Sequence, residues 1–230
     1  GKKLIITGRN EAKLKELKSS LPGEIIPIVC AIEDDYKPLL NVIKNEAPDL
    51  IINNAGYGLY GNAIDHDLNE ETSMVRVNCE AVLALTLQGA KTLRERSKQG
   101  TILNVSSAGG FNPFPTFATY VASKAFVTSV STSLDEEMQD WGIRVLAACP
   151  GVIKTDFSRR ASPSKKNNRR PFTMTVDYAV DRIIKQIETG KRVEIFDWHY
   201  KLLIFVSKFI PESILCKMLW NKSIMKFIHF

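Results

Sequence analysis

After Gly8 the chain has no glycine until Gly23. The opening run KLIITGRNEAKLKEL, Lys3 to Leu17, has the outline of a strand, a turn and a charged helix. A phosphate-cradling loop needs further glycines at once, so that backbone can approach a pyrophosphate at a helix N-terminus. Ala12 and Leu14 stand where small residues would be required, so this turn is not that loop. Cysteine is also sparse: Cys30, Cys79, Cys149 and Cys216 are scattered through mostly apolar runs, with no CxxC pair. That argues against a zinc site and a disulfide framework, and makes a reducing cytoplasm the expected compartment. No signal-peptide pattern of apolar h-region and small-residue cleavage site occurs. Internal repeats and low-complexity tracts are absent too.

What is there reads as one α/β domain. At 230 residues, with 44% hydrophobic and 24% charged residues, the chain can bury a substantial core. Strands are expected near Lys3–Gly8, Glu24–Val29, Leu50–Asn53, Thr101–Ser106, Ile143–Cys149 and Arg192–Ile195. Helices are expected near Asn10–Ser20, Asp35–Glu46, Leu68–Ser97, Phe117–Trp141 and Val176–Thr189. The alternation implies βαβ units, and the continuous Ile/Leu/Val runs imply a parallel sheet covered on both faces.

The net charge of +6 is uneven, with Lys154, Arg159, Arg160, Lys165, Lys166, Arg169 and Arg170 crowding one polar stretch. A solvated loop is the ordinary reading, and a lid attracting an anionic substrate or cofactor phosphate the sharper one. The patch lacks interleaved aromatics and any reader motif, which argues against nucleic acid as a partner. The last stretch, YKLLIFVSKFIPESILCKMLWNKSIMKFIHF, is rich in Leu, Ile and Phe with spaced lysines. Its apolar runs are too short, and too broken by Lys208 and Pro211, to span a bilayer. Two amphipathic helices split at Pro211 fit better, and they could pack on the domain, form a subunit contact or lie on a membrane surface.

The residues with chemical potential follow the strands. IINNAGYGLYG puts Asn53, Asn54, Ala55 and Gly56 at the carboxyl edge of the sheet, where open α/β folds bind ligands. TILNVSSAGGFNPFPTFATYVASKAF reads as a strand ending at Ser106-Ser107, a Gly/Pro-rich loop and a helix. Tyr120 and Lys124 are spaced i, i+4 and share a helix face. A phenol ordinarily titrates near pH 10, and a nearby ammonium would favour its ionised form. Ser107 could hydrogen-bond a substrate carbonyl beside that tyrosine. CPGVIKTDF then turns the chain at Pro150-Gly151, leaving backbone and the Thr155 hydroxyl near the cleft, although an ordinary strand-to-loop turn would read the same way.

Together NNAG, Val77-Asn78, Ser107, YVASK and PGVIKT, in this order and spacing, resemble the short-chain dehydrogenase/reductase family. The resemblance runs from about Lys2 to Ile195, and NNAGYGLYG and ASKAFV are similar to a broad bacterial group whose substrates are often unassigned. It implies a Rossmann-like, doubly wound parallel sheet: a catalytic domain over residues 1–197, followed by an apolar helical extension over 198–230. It implies NADP(H)-dependent interconversion of a carbonyl and an alcohol, with Asn78, Ser107, Tyr120 and Lys124 as the catalytic set. Tyr120 would move the proton, Lys124 would lower its pKa and hold the nicotinamide ribose, Ser107 would orient the carbonyl, and Asn78 would position a water. Asn53, Asn54, Ala55, Gly56, Pro150, Gly151, Ile153 and Thr155 would line the cofactor, the last two at its carboxamide.

LIITGRN matches the family's second strand, whose acidic end-residue favours NAD. Arg9 stands there instead, which by the resemblance implies NADP through a guanidinium–phosphate fork, although an exposed arginine at a helix start would read the same way. Ala31 replaces an aspartate usual near the adenine, leaving Ile32 to offer backbone groups. The family's first strand, glycine loop and first helix have no counterpart, so a preceding N-terminal segment is expected. A homodimer or homotetramer is implied, through the helices at Leu68–Ser97 and Phe117–Trp141. The rival readings are a non-catalytic NADP-binding or redox-sensing protein, and a membrane-associated scaffold built on the C-terminal segment. The segment from Asp156 to Thr175 reads as a lid suited to an apolar carbonyl compound.

Overall fold

The computed structural model describes residues 3–161 and 172–221. The basic cluster Lys165, Lys166, Arg169 and Arg170, most of the expected lid, and everything after Asn221 lie outside the described residues. Elements run β1 (Lys3–Gly8), α1 (Glu11–Ser20), β2 (Glu24–Val29), α2 (Lys37–Glu46), β3 (Leu50–Asn53), α3 (Leu68–Val75) and α4 (Val82–Glu95). Then come β4 (Gly100–Val105), α5 (Ala118–Met138), β5 (Ile143–Cys149), α6 (Phe157–Ala161), α7 (Val176–Thr189), β6 (Val193–Ile195), α8 (Trp198–Ser207) and α9 (Glu212–Trp220).

Helix starts follow local chemistry. Asn10, Asp67, Thr175 and Asp197 each accept a hydrogen bond from a backbone N–H of the following helix. Gly190 ends α7 in the left-handed region, φ 61°, where a side chain would be strained. Pro211 separates α8 from α9, at the break the sequence suggests. The expected helix Leu68–Ser97 is interrupted. A π-turn over Arg76–Ala81 joins α3 to α4 and presents Asn78 to the chain after β3. Such bulges insert a residue into the helical register and re-aim side chains.

All strands are parallel, but they form two sheets, β1-β2 and β3-β4-β5-β6. Among the described residues no pairing joins β1 to β3, and Leu4, Leu50 and Ile52 are exposed along these strands. The four-stranded sheet is covered on both faces. Ile102 and Ile143 face a core shared with α2 and α4, through Leu39, Ile43, Leu85 and Leu93. Leu103, Leu146 and Ala148 face Ala179, Tyr200 and Ile204 of α7 and α8. Cys30 and Ile32, just after β2, join the first of these cores and tie the small sheet to the large one.

Candidate active site

The carboxyl end of β4 and the first turns of α5 are bolted together. Ser106 Oγ donates to Lys124 O at 2.7 Å, and the Lys124 ammonium donates back to Val105 O at 2.9 Å. The loop between them crosses α5 so closely that a Cβ at Gly110 would lie 2.7 Å from the Lys124 carbonyl carbon. Only glycine permits that approach. Ser107 accepts from Gly109 N at 3.1 Å and also hydrogen-bonds the Tyr120 side chain. Tyr120 and Lys124 are both buried, with the ammonium 5.7 Å from the phenol ring centre.

Asn78 comes to the same place from the π-turn. Its Oδ1 accepts from Tyr57 N at 3.1 Å, and its Nδ2 donates to Tyr57 O and Ser123 Oγ at 2.9 and 3.0 Å. A Cβ at Gly56 would lie 3.0 Å from Asn78 Oδ1 and 3.2 Å from Lys124 Nζ. Asn78, Ser107 and the Tyr120–Lys124 pair, from three separate stretches of sequence, thus surround one point at the edge of the sheet.

Burial dominates the electrostatics. It pushes the Tyr120 phenol up to about 12, against the downward pull of the Ser107 hydrogen bond. The expected lowering by Lys124 is not what this arrangement produces. The lysine is itself pulled down from its ordinary 10.5 to about 8 by burial, so it holds its charge weakly. Tyr120 is a neutral, proton-bearing phenol near pH 7.

The other anticipated residues spread over three places. Asn53 turns into the interior, donating to Asn104 Oδ1 at 2.8 Å and Thr86 Oγ1 at 3.3 Å. Asn54, Ala55 and Gly56 are exposed beside the Asn78–Lys124 pair. Pro150 O accepts from Ala108 N at 2.8 Å, fixing the β5 end against the β4 end. A Cβ at Gly151 would meet the Tyr200 ring at 2.0 Å, so α8 packs directly on this turn. Ile153 pairs with Met174 in an isolated parallel bridge, and Thr155 Oγ1 accepts from Phe157 N at the start of α6. Arg9 and Ile32 belong to the small sheet's end. There Arg9 Nη1 pairs with Glu33 at 2.5 Å, and Arg76 donates to Glu33 O at 3.1 Å.

Sequence reasoning missed the apolar box around the tyrosine. Phe117 stacks on Tyr120 at 4.3 Å between ring centres, and Phe157 lies tilted at 5.4 Å. Phe114 and Leu219 are buried in the same cluster, with Leu215 packed against it, so α9 closes over the site. Phe117 lies one turn before Tyr120 and could have been found by helical spacing; the helix after Pro211 and its packing on the domain were among the sequence readings, but not its contact with the Tyr120 cluster. The Val105 carbonyl that holds Lys124 was equally invisible, because any residue has one.

A parallel α/β sheet of Rossmann type, with this cluster at its carboxyl edge, defines the class of protein by its fold. The sequence model of the family described as "short chain dehydrogenase" matches residues 1–166, and the chain belongs to that family of oxidoreductases. An "uncharacterized oxidoreductase" of Staphylococcus epidermidis is 27% identical over 177 residues, covering 73% of this chain and 76% of that protein. A short-chain dehydrogenase from Sphingobium yanoikuyae in complex with NADPH has a similar fold, with TM-score 0.78 and 22% identity over 94% of this chain and 86% of that one. The bulky-bulky ketone specific alcohol dehydrogenase from Comamonas testosteroni gives TM-score 0.74 and 23% identity over 93% and 86%.

Proposed function

We propose that the chain is an NADP(H)-dependent enzyme interconverting a carbonyl compound and an alcohol, with Tyr120 as the proton donor and acceptor. The observation that carries this reading is the convergence of Tyr120, Ser107, Lys124 and Asn78 at one buried point. A sensing or scaffold role would give that convergence no task.

The donor set suits both ends of the cofactor. An ammonium has three N–H bonds, and the hydrogen bond to Val105 O engages one of them, leaving Lys124 able to hold ribose hydroxyls. Gly56 supports this, since its bare backbone keeps the space before Lys124 and Asn78 clear. At the other end Arg9 is exposed, and a 2′-phosphate would offer its fork a more highly charged partner than Glu33 does. Backbone at Ile32 and Ile153, and the Thr155 hydroxyl, are the remaining candidate contacts. The described residues include no glycine cradle for a pyrophosphate. We therefore propose that a further strand–loop–helix unit of the natural protein occupies the gap between β1 and β3, whose exposed Leu4, Leu50 and Ile52 it would cover.

Bound NADPH would supply the hydride to the carbonyl carbon. Ser107 would hold the carbonyl oxygen, and the Tyr120 phenol would pass its proton to that oxygen as charge develops there. Lys124 would stabilise the resulting phenolate until it is reprotonated. Asn78 keeps the Tyr57 backbone and Ser123 in register beneath the lysine, and would order a water beside it. In oxidation the phenol must first lose its proton, which its burial opposes at neutral pH.

The reading extends to a catalytic domain over 1–197 and self-association through α3, α4 and α5, which carry exposed Leu68, Leu87 and Phe126. A reducing cytoplasm suits four free thiols. Tyr120→Phe tests the mechanism: turnover of NADPH across a panel of aldehydes and ketones should fall by about 10²–10⁴-fold. NADPH binding, followed by fluorescence, should stay unchanged. Wild-type turnover retained in that variant would refute the assignment.

A further inference from the structure

Helix α8 is apolar on both sides. Its inner face, Tyr200, Ile204 and Ser207, is spaced i, i+4, i+7 and is secured to the domain. Tyr200 Oη accepts from Val152 N at 3.1 Å, and Ser207 Oγ donates to Asn112 Oδ1 at 2.9 Å. Its outer face carries Trp198, Leu202 and Phe205, and the stripe continues to Phe209 in the turn beyond. These side chains are 64%, 51%, 59% and 73% exposed. Phe205 and Phe209 pack edge-on at 5.2 Å, so the outer surface is a joined aromatic ridge. A helix on an ordinary protein surface turns polar residues outward. A contiguous apolar stripe in that position marks a surface that something covers.

The surrounding charge says what covers it. Lys208 flanks the stripe and is exposed, and so is Lys201, whose ammonium also reaches Glu194 at 3.4 Å. From residue 198 to 230 the sequence has five lysines and one acidic residue, Glu212. Trp198 and Trp220 stand exposed on α8 and α9, and tryptophan rings favour the headgroup level of a bilayer. An apolar ridge flanked by long cationic side chains fits a surface that is negative outside and oily beneath. No helix among the described residues is long and apolar enough to cross a membrane, so the contact is with the surface.

We propose that α8 and the turn after it dock on an anionic phospholipid bilayer, with Leu202, Phe205 and Phe209 in the acyl boundary and the lysines among the phosphates. Through Pro211 this surface continues into α9, whose Leu215 and Leu219 pack around the Tyr120 site. Docking therefore brings the covered side of that site to the lipid. It also names a substrate class, an apolar carbonyl or alcohol dissolved in the bilayer. That last step rests on the dehydrogenase reading, whereas the docking does not.

The test is co-sedimentation of the full chain with vesicles, read without cofactor or substrate, so that a failed enzyme assignment leaves it intact. Phosphatidylcholine mixed with phosphatidylglycerol should bind at least about tenfold more tightly than phosphatidylcholine alone, and added salt should weaken it. Phe205→Asp with Phe209→Asp should reduce binding at least about tenfold while leaving the circular dichroism spectrum and thermal midpoint unchanged. Lys208→Glu combined with Lys217→Glu, the latter exposed on α9, should abolish the preference for the charged vesicles. Sedimentation with neither vesicle, or binding indifferent to both pairs of substitutions, overturns the proposal. So does a dimer in sedimentation velocity that Phe209→Asp dissolves in a protein without affinity for lipid; the ridge would then be a contact between two copies.

Discussion

Lys124 and Asp135 both lie on α5 and both are buried charges, one at each edge of the sheet. At the amino edge Asp135 is fully enclosed and fully answered. Arg144 binds it through two bonds of 2.8 and 3.0 Å, Arg192 through one of 2.7 Å, and Val145 N–H through one of 2.9 Å. Burial pushes its pKa up, but these donors outweigh burial and hold the carboxyl below its ordinary 3.8. At the carboxyl edge Lys124 has the Val105 carbonyl at 2.9 Å, and burial pulls it down to about 8. One charge has been surrounded until it stabilises the fold. The other is kept short of partners, as a group must be if it is to serve a ligand.

The largest effect expected from this contrast is at the saturated end. Asp135→Ala strips Arg144 of its carboxylate, leaves Arg192 with only Glu136, and leaves the Val145 N–H buried without an acceptor. Because both arginines keep some solvent contact, the loss should be about 3 kcal/mol, toward the low end for a broken buried pair. Urea denaturation would measure it, and a loss below about 1 kcal/mol would show that the network is ornamental. The sign of its pH dependence follows from the lowered pKa: the contribution is complete above pH 3.8 and disappears as the pH falls through the folded-state value.

The starved end should behave in the opposite way. Lowering Lys124 from 10.5 to about 8 corresponds to about 3 kcal/mol of destabilisation below pH 8, where folded and unfolded chains are both charged. Lys124→Met should therefore stabilise the fold by about 2 kcal/mol at pH 7, after the lost bond to Val105 O is deducted. The advantage should shrink between pH 8 and 10.5, where the folded wild type sheds the proton first and gains stability. Thermal melts across that range would show it, and turnover should be lost. In the wild type, carbonyl reduction should stay level below about pH 7 and fall as Lys124 sheds its proton around pH 8, while alcohol oxidation should climb toward alkaline pH as the Tyr120 phenol ionises.

The smallest effect on stability belongs to a third charge, exposed from the start. Arg9 pairs with Glu33 at 2.5 Å, but its side chain is 65% open to water, where such pairs contribute little. Arg9→Ala should change the unfolding free energy by less than about 0.5 kcal/mol. It should nonetheless cut the preference for NADPH over NADH by about tenfold, measured as the ratio of kcat/KM values. An unchanged ratio would separate Arg9 from the phosphate.

Much of this was legible before any coordinates. Continuous apolar strands and helix-period segments are local signals: strand ends were read to within a residue, whereas α5 stops at Met138 rather than at the expected Trp141. The Tyr120–Lys124 pair was legible for the same reason, since i, i+4 spacing fixes a shared face once a helix is granted. The π-turn at Arg76–Ala81 was not, because nothing in RVNCEA breaks a helix by itself; Asn78 leaves the regular register to meet Tyr57. Asn53 looked like a cleft residue and instead belongs to a buried amide network with Asn104 and Thr86, because strand alternation at that point turns it inward. The division into two sheets was likewise a matter of which strand edges meet.

The order of the elements, the carboxyl-edge position of the site residues and their chemical types were thus set by sequence alone, through periodicity and spacing. The tertiary structure decided the protonation balance, because desolvation depends on everything packed around a group: Phe114, Phe117, Phe157 and Leu219 make Tyr120 a reluctant acid. It also decided that α8 would keep one apolar face inward and leave the other bare. A sequence can state that a helix is apolar on two sides, but only packing determines which side the domain covers.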